Sequence, residues 1–255
     1  MAVNRDYVKN LNIGGASLYI KTKDDTNFRF FATTSALKLN VKADKIEHKN
    51  TDGAVSVVDF EAIIGQSATV SITTEELNKE VLAMAFGGNY TETTQNGDSE
   101  TDYAIDAVKG GYLYSLDEKV EVSNVVVKYK DGDDNKVAVE DVDYSVEYKF
   151  GNIEIAIGGA IDGKDITVDF DYATIKVTEI SALDDVSKEI SIRVAQKLQN
   201  GQPKEFVIHR VILALNGDYD LKSIDKFTSI TLNGNVLIDS TKSEKDQFYT
   251  TKMVG

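Results

Sequence analysis

One stretch, Thr73–Gly88 (TTEELNKEVLAMAFGG), carries helical periodicity in a chain that otherwise alternates like strands. Thr73 and Glu76 have the spacing of a capping box, in which hydroxyl and carboxylate satisfy orphan N–H groups of the first turn. Glu75, Glu76 and Glu80 place negative charge toward the positive end of the helix dipole. Leu77, Val81, Leu82, Ala85 and Phe86 fall on one face, and Gly87–Gly88 supply the permissive φ of a helix C-terminus. A helix of at most 14 residues is too short to stand alone in water. The chain is thereby limited to a mainly β fold, with this helix laid against a sheet.

Period-two patterning supplies the sheets. Leu37, Leu39 and Val41 alternate with Lys38, Asn40 and Lys42 within the segment Phe28–Lys45, and Ile190, Ile192 and Val194 alternate with Ser191, Arg193 and Ala195. Both read as strands with one wet face. Leu11–Lys21 reads as a strand interrupted at Gly14–Gly15, after a polar start over residues 1–10. Val55–Ile64 and Gln66–Ile72 read as a hairpin around Gly65. Phe206–Leu215 is apolar enough to be covered on both faces, and Phe227–Ile238 reads as two strands around Asn233–Gly234, a dipeptide suited to a two-residue hairpin. Residues 88–109 read as a long polar connection, which marks a functional loop or a boundary. Residues 111–172 read as an inserted β subdomain between a core formed by 1–110 and 173–255.

Several chemistries have no support. The chain has no Cys, which removes disulfides, thiolate metal sites and cysteine nucleophiles. His48 and His209 are isolated, so a His-based triad or a His-rich metal centre is not expected. Asp131, Asp133 and Asn135 match the first ligands of a calcium loop, but Lys136 stands where Gly is required and Val142 where a bidentate Glu belongs; the segment reads as a hairpin turn. The pairs Asp184–Asp185 and Asp218/Asp220 offer only two carboxylates each. The glycine pairs form neither dinucleotide nor P-loop fingerprints. No enzyme and no cofactor is expected. The N-terminus MAVNRDYVKNLNIGG lacks the apolar segment of a signal peptide, and no run of apolar residues is long enough to span a membrane as a helix. The net charge of −14, from 42 acidic and 28 basic residues, disfavours nucleic-acid binding.

Four segments in order, LNIGGASLYIKT (11–22), ATVSITTEELNKEVLAMAFGG (68–88), the DY, GNIEI and DGKDITVDF turns within 110–172, and FVIHRVILALNGDYDLKSIDKFTSITLNGNVLIDS (206–240), resemble the tail tube (major tail) proteins of tailed bacteriophages, chiefly those of long non-contractile tails. The resemblance implies two packed antiparallel sheets, as a β-sandwich or partial barrel, with one flanking helix. It implies homo-hexameric rings stacked into a hollow tube, in a virion tail assembled in the host cytoplasm, that conducts genome DNA without specific binding. Tail terminator, distal tail and tape-measure proteins are the implied partners. An acidic lumen would let DNA slide without adhering. Lys38, Asn40, Lys42, Asp59 and Glu61 are candidates for lumen or ring contacts. The tube of a contractile tail or related injection device, and a cell-surface β-sandwich binding module, are the competing readings.

Overall fold

The computed structural model describes residues 13–253. The chain divides into two compact units, one formed by Met1–Tyr90 with Ile180–Gly255, the other by Thr91–Glu179. The first opens with β1 (Ile13–Thr22), β2 (Arg29–Phe30), β3 (Thr34–Asn50), β4 (Val57–Thr74) and the helix α1 (Lys79–Ala85). Next come β5 (Tyr90–Gln95), β6 (Asp98–Ile105), β7 (Leu113–Ser115), β8 (Val122–Asp131) and β9 (Asp134–Val137). The second unit ends with β10 (Tyr144–Glu147), β11 (Asn152–Ile155), β12 (Ile166–Tyr172) and β13 (Ile175–Ile180). The first then resumes with β14 (Glu189–Asn200), β15 (Lys204–Leu215), β16 (Ile230–Val236) and β17 (Tyr249–Met253). The protein is mainly β, with several antiparallel sheets and one helix among the described residues. The expected polar start at residues 1–10 and the opening of the first strand at Leu11 lie outside those residues.

In the first unit a single antiparallel sheet runs β2-β1-β14-β15-β16-β4-β3, with β17 pairing β15 beside β16. Its two margins, β2 and β3, are joined by only three residues, Phe31–Thr33, so the sheet must curl until its ends meet. The resemblance implies two packed sheets, as a β-sandwich or partial barrel; this part of the chain has one sheet, curled as in a partial barrel, that encloses its own core. That core takes Leu18 and Ile20 from β1, Val70 and Ile72 from β4, Ile192 from β14 and Ile208 from β15, all nearly inaccessible to solvent. Ile190, Ile192 and Val194 of β14 are buried, as the alternation predicts. Phe206–Leu215 is fully covered on one face only. Ile208, Val211 and Leu213 are buried, Val207, His209 and Ile212 are half-buried and Ala214 is exposed, so the outer face is covered in part and not along its whole length.

Helix α1 is half the expected length, and its cap is not the expected one. Thr73 and Thr74 remain in β4, held by ladders to β16 and β3 (Ile230↔Thr74, Thr34↔Thr74), and a paired strand outcompetes a first helical turn at those residues. The cap is Asn78: its side-chain oxygen accepts from the Glu80 and Val81 N–H groups at 3.0 and 2.9 Å. Its amide nitrogen donates to the Phe31 carbonyl at 3.0 Å. Thr74 Oγ1 donates to the Thr33 carbonyl (2.6 Å), and the Thr33 N–H donates to Glu76 (2.7 Å), which holds that carboxyl below its usual range. Three side chains before the helix thus clamp the link that closes the sheet. The C-terminus follows expectation. Gly87, at φ +60°, and Gly88 return their N–H groups to Met84 and Ala83 in a Schellman arrangement. Val81, Met84 and Ala85 bury themselves in the core.

Two glycine-based hairpins are corrected. Gly65 lies within β4, which runs unbroken from Val57 to Thr74, at an irregularity in its ladder with β3. Asn233 and Gly234 lie in the middle of β16, paired on both sides. A Cβ on Gly234 would sit 2.5 Å from the Ile212 carbonyl oxygen, so the glycine serves close strand approach rather than a turn.

The second unit begins earlier than the expected 111–172. The polar stretch 88–109 is not a loop: it holds β5, which pairs β13, and β6, which pairs β12. A four-stranded sheet (β6-β12-β8-β9) and a three-stranded sheet (β10-β11-β7) share one core, in which Val127, Ile166, Val168 and Phe170 meet Ile153 and Ile155. Asp131–Asp134 is the tip of the β8–β9 hairpin, and Asp131 is paired with Lys136. Asp143, buried, accepts from the Val139 and Ala160 N–H groups at 2.9 Å each. Asp162 accepts from Gly110 and Gly158 in the same way.

Two predictions follow from these anchors. Asn78→Ala removes the cap and leaves the Phe31 carbonyl without its donor, at a cost of about 2 kcal/mol. Thermal unfolding of the first unit should shift down by about 4–8 °C; an unchanged midpoint would show that the clamp contributes nothing. The Val139 N–H first and the Ala160 N–H second depress the carboxyl of Asp143 below its ordinary 3.8. A depressed folded value means stability present above the unfolded pKa and lost as pH falls through the folded one. The urea-unfolding advantage of the parent protein over Asp143→Asn should therefore be full at pH 6 and shrink below about pH 4.

Candidate functional site

The hairpin of β3 and β4 is the longest element pair of the protein, with strands of 17 and 18 residues. Its base is backed by the core: Leu37 pairs Ile72 and Leu39 pairs Val70. β16 accompanies β4 only over Thr69–Thr74. Beyond the pair Val41↔Ala68 the two strands continue alone as an arm of residues 41–67, with no third strand among the described residues.

The arm is apolar where its surroundings are wet. Phe60 (63% exposed), Ile63 (58%) and Ile64 (67%) lie on β4, and Val41 and Ile46 on β3 are also more than half exposed. Val55, Val57 and Val58 extend the exposed apolar surface to the tip. Ile46 stands opposite Ala62 and His48 opposite Phe60, while Glu47 opposes Glu61 on the other face. The like-charge pair opposes pairing; Lys45 Nζ offsets it by reaching Glu61 at 2.6 Å. His48 Nδ1 lies 2.6 Å from Asp59. An isolated two-stranded ribbon is marginal in water, and this one exposes large apolar residues on both faces, Phe60 on the side of Ile46 and Ile63 on the side of Glu61, an exposure that points to an interaction surface.

The five residues singled out from sequence do not form one site. Lys38, Asn40 and Lys42 share a face at the base and inner part of the hairpin, opposite Ser71, Thr69 and Ser67. Lys42 is paired with Asp44 at 2.6 Å, which raises its pKa. Asp59 and Glu61 lie farther out, each engaged across the arm by His48 or Lys45. The residues that sequence reasoning passed over are Phe60, Ile63, Ile64 and Val41. Their signal was present: Val55–Ile64 is too apolar for a strand with one wet face, yet no neighbouring strand was available to cover it.

Other polar features carry structural roles. In the polar cleft of the first unit, Arg210 grips Glu189 through Nε and Nη2 (2.9 and 2.7 Å) and Arg29 pairs with Glu80 and Asp25. Burial lowers the pKa of His209, whose Nε2 has no hydrogen-bond partner. Asp184 accepts from Asn89, and Asp220 pairs with Lys226. Among the described residues no group of three or more His, Asp or Glu side chains is placed to hold a metal ion.

No curated protein matches the chain. A family model described as "Protein of unknown function UCP028589" matches residues 14–251, a span that covers both units and the whole arm. The chain belongs to that family.

Proposed function

We propose that the protein is the structural subunit of a bacteriophage tail tube of the long non-contractile type, in which six copies close into a ring and rings stack into a hollow tube for genome DNA. The observation that carries this reading is the uncovered apolar arm. A ribbon of this length with Phe60, Ile63 and Ile64 in water is a liability in a monomer and an asset in an assembly whose neighbouring copies bury it.

Three further features support it. The outer edge of β3, and that of β1 ahead of Leu18, pair with no described strand, and closure of a ring removes such edges. The order of sequence segments resembles that of tail tube proteins over most of the chain, and a curled antiparallel sheet with one helix suits a tail-tube fold. The net charge of −14 gives phosphates little to adhere to, so cargo slides rather than binds. The relevant charge is that of the chain as a whole, since the face carrying Lys38, Asn40 and Lys42 has no carboxylate short of Asp44. The protein acts in this reading through shape and self-association, without a catalytic step or a cofactor.

Negative-stain electron microscopy and sedimentation test the reading together. The purified protein should form six-fold rings and tubes. The triple variant Phe60→Ser/Ile63→Ser/Ile64→Ser should unfold within about 0.5 kcal/mol of the parent, because the sites are exposed, and remain monomeric. A parent protein that stays monomeric at every concentration would overturn the proposal.

A further inference from the structure

The curled sheet does not seal along its whole length. Between the unpaired edge of β1 at Gly14–Ala16 and the start of β3 lies a groove of about 450 Å³, with Val70, Val194, Leu198, Phe206 and Ile208 against it. Edge main-chain groups on both walls lack strand partners among the described residues. Gln196 shares the inward face with Val194 and Leu198, and its Oε1 is buried without a hydrogen-bond partner. Although the chain has 42 carboxylates, none lines this groove; its one charged lining residue is Lys38.

The arm has the complementary character. Residues 41–67 carry Lys42, Lys45 and Lys49 against Asp44, Glu47, Asp52, Asp59 and Glu61, three positive and five negative, for a net charge of −2. Its apolar residues are uncovered by its own chain. An extended segment laid in the groove would gain main-chain partners from a free edge, the geometry of strand addition. It would also bring N–H groups to an acceptor that lacks one.

We infer that the groove between β1 and β3 is the seat for the arm of a second copy, whose β4 strand around Val57–Ile63 pairs with the free edge of β1. Arm and groove are different surfaces of one chain: a reciprocal exchange closes at two copies, whereas a head-to-tail contact propagates from copy to copy until a ring closes, and the tube reading takes the second. The inference rests on the tube reading and adds the location of the contact.

The chain has no native cysteine, so disulfide trapping reads the contact directly. Full-length Ala16→Cys is combined in turn with Val57→Cys, Phe60→Cys and Ile63→Cys, and, as a control, with Leu221→Cys on an exposed loop. After oxidation of assembled material, non-reducing gels should show ladders up to a six-chain product for at least one arm position and none for the control. Tubes that form without a ladder from any arm position overturn the inference and leave the tube reading standing. Ala16→Arg, which fills the groove, should abolish assembly with unchanged thermal unfolding; normal assembly of that variant also overturns the inference. Failure of the parent protein to assemble removes the tube reading and the inference with it.

Discussion

The link Phe31–Thr33 is the constraint on which the first unit turns. Three residues join the two margins of an extensive sheet, and that short span leaves curling as the only arrangement. Thr74, Glu76 and Asn78 hold the link from the segment ahead of the helix, so cap and closure are one device. Curling turns one face of every strand inward, which is why one alternating pattern suffices for the core. It also leaves β3 and β4 longer than the core that backs them, and the excess becomes the arm.

Electrostatics keeps such an arm from sticking at random. Copies carrying −14 each repel one another, and polar pairs such as Lys45 with Glu61 and His48 with Asp59 interrupt the apolar surface. In the assembly proposed above, repulsion at long range with apolar contact at short range would select docked geometries that bury the arm well, since weak encounters do not offset the charge. At physiological salt the screening length is about 8 Å, so the repulsion guards against indiscriminate aggregation without forbidding a close-fitting interface.

Much of the fold is legible from residue patterns where a residue's neighbours are local. The inward face of β14 and the glycine stop of the helix follow from periodicity and backbone conformation alone. The failures share a cause: partners distant in sequence. Thr73 and Glu76 have a capping-box spacing, yet strands β16 and β3 claim the first and the Thr33 N–H claims the second. Asn233–Gly234 has turn chemistry, but a strand on each side requires a glycine without a turn. The strands β5 and β6 look like loop because their side chains are mostly polar and solvent-facing. The candidate site was half legible: Lys38, Asn40 and Lys42 do share a face of the hairpin, while the exposure of Phe60 and Ile63 depends on where the core ends, which no local pattern records.

The account stands on the arm being open in a single copy and covered in company. Hydrogen exchange of the backbone amides in residues 41–67, compared between monomer held at high dilution and assembled material, addresses this directly. The account predicts rapid exchange in the monomer, set against protected amides in β14 and β15, and protection of the arm rising by orders of magnitude on assembly. Equal protection of the arm in both states would contradict it.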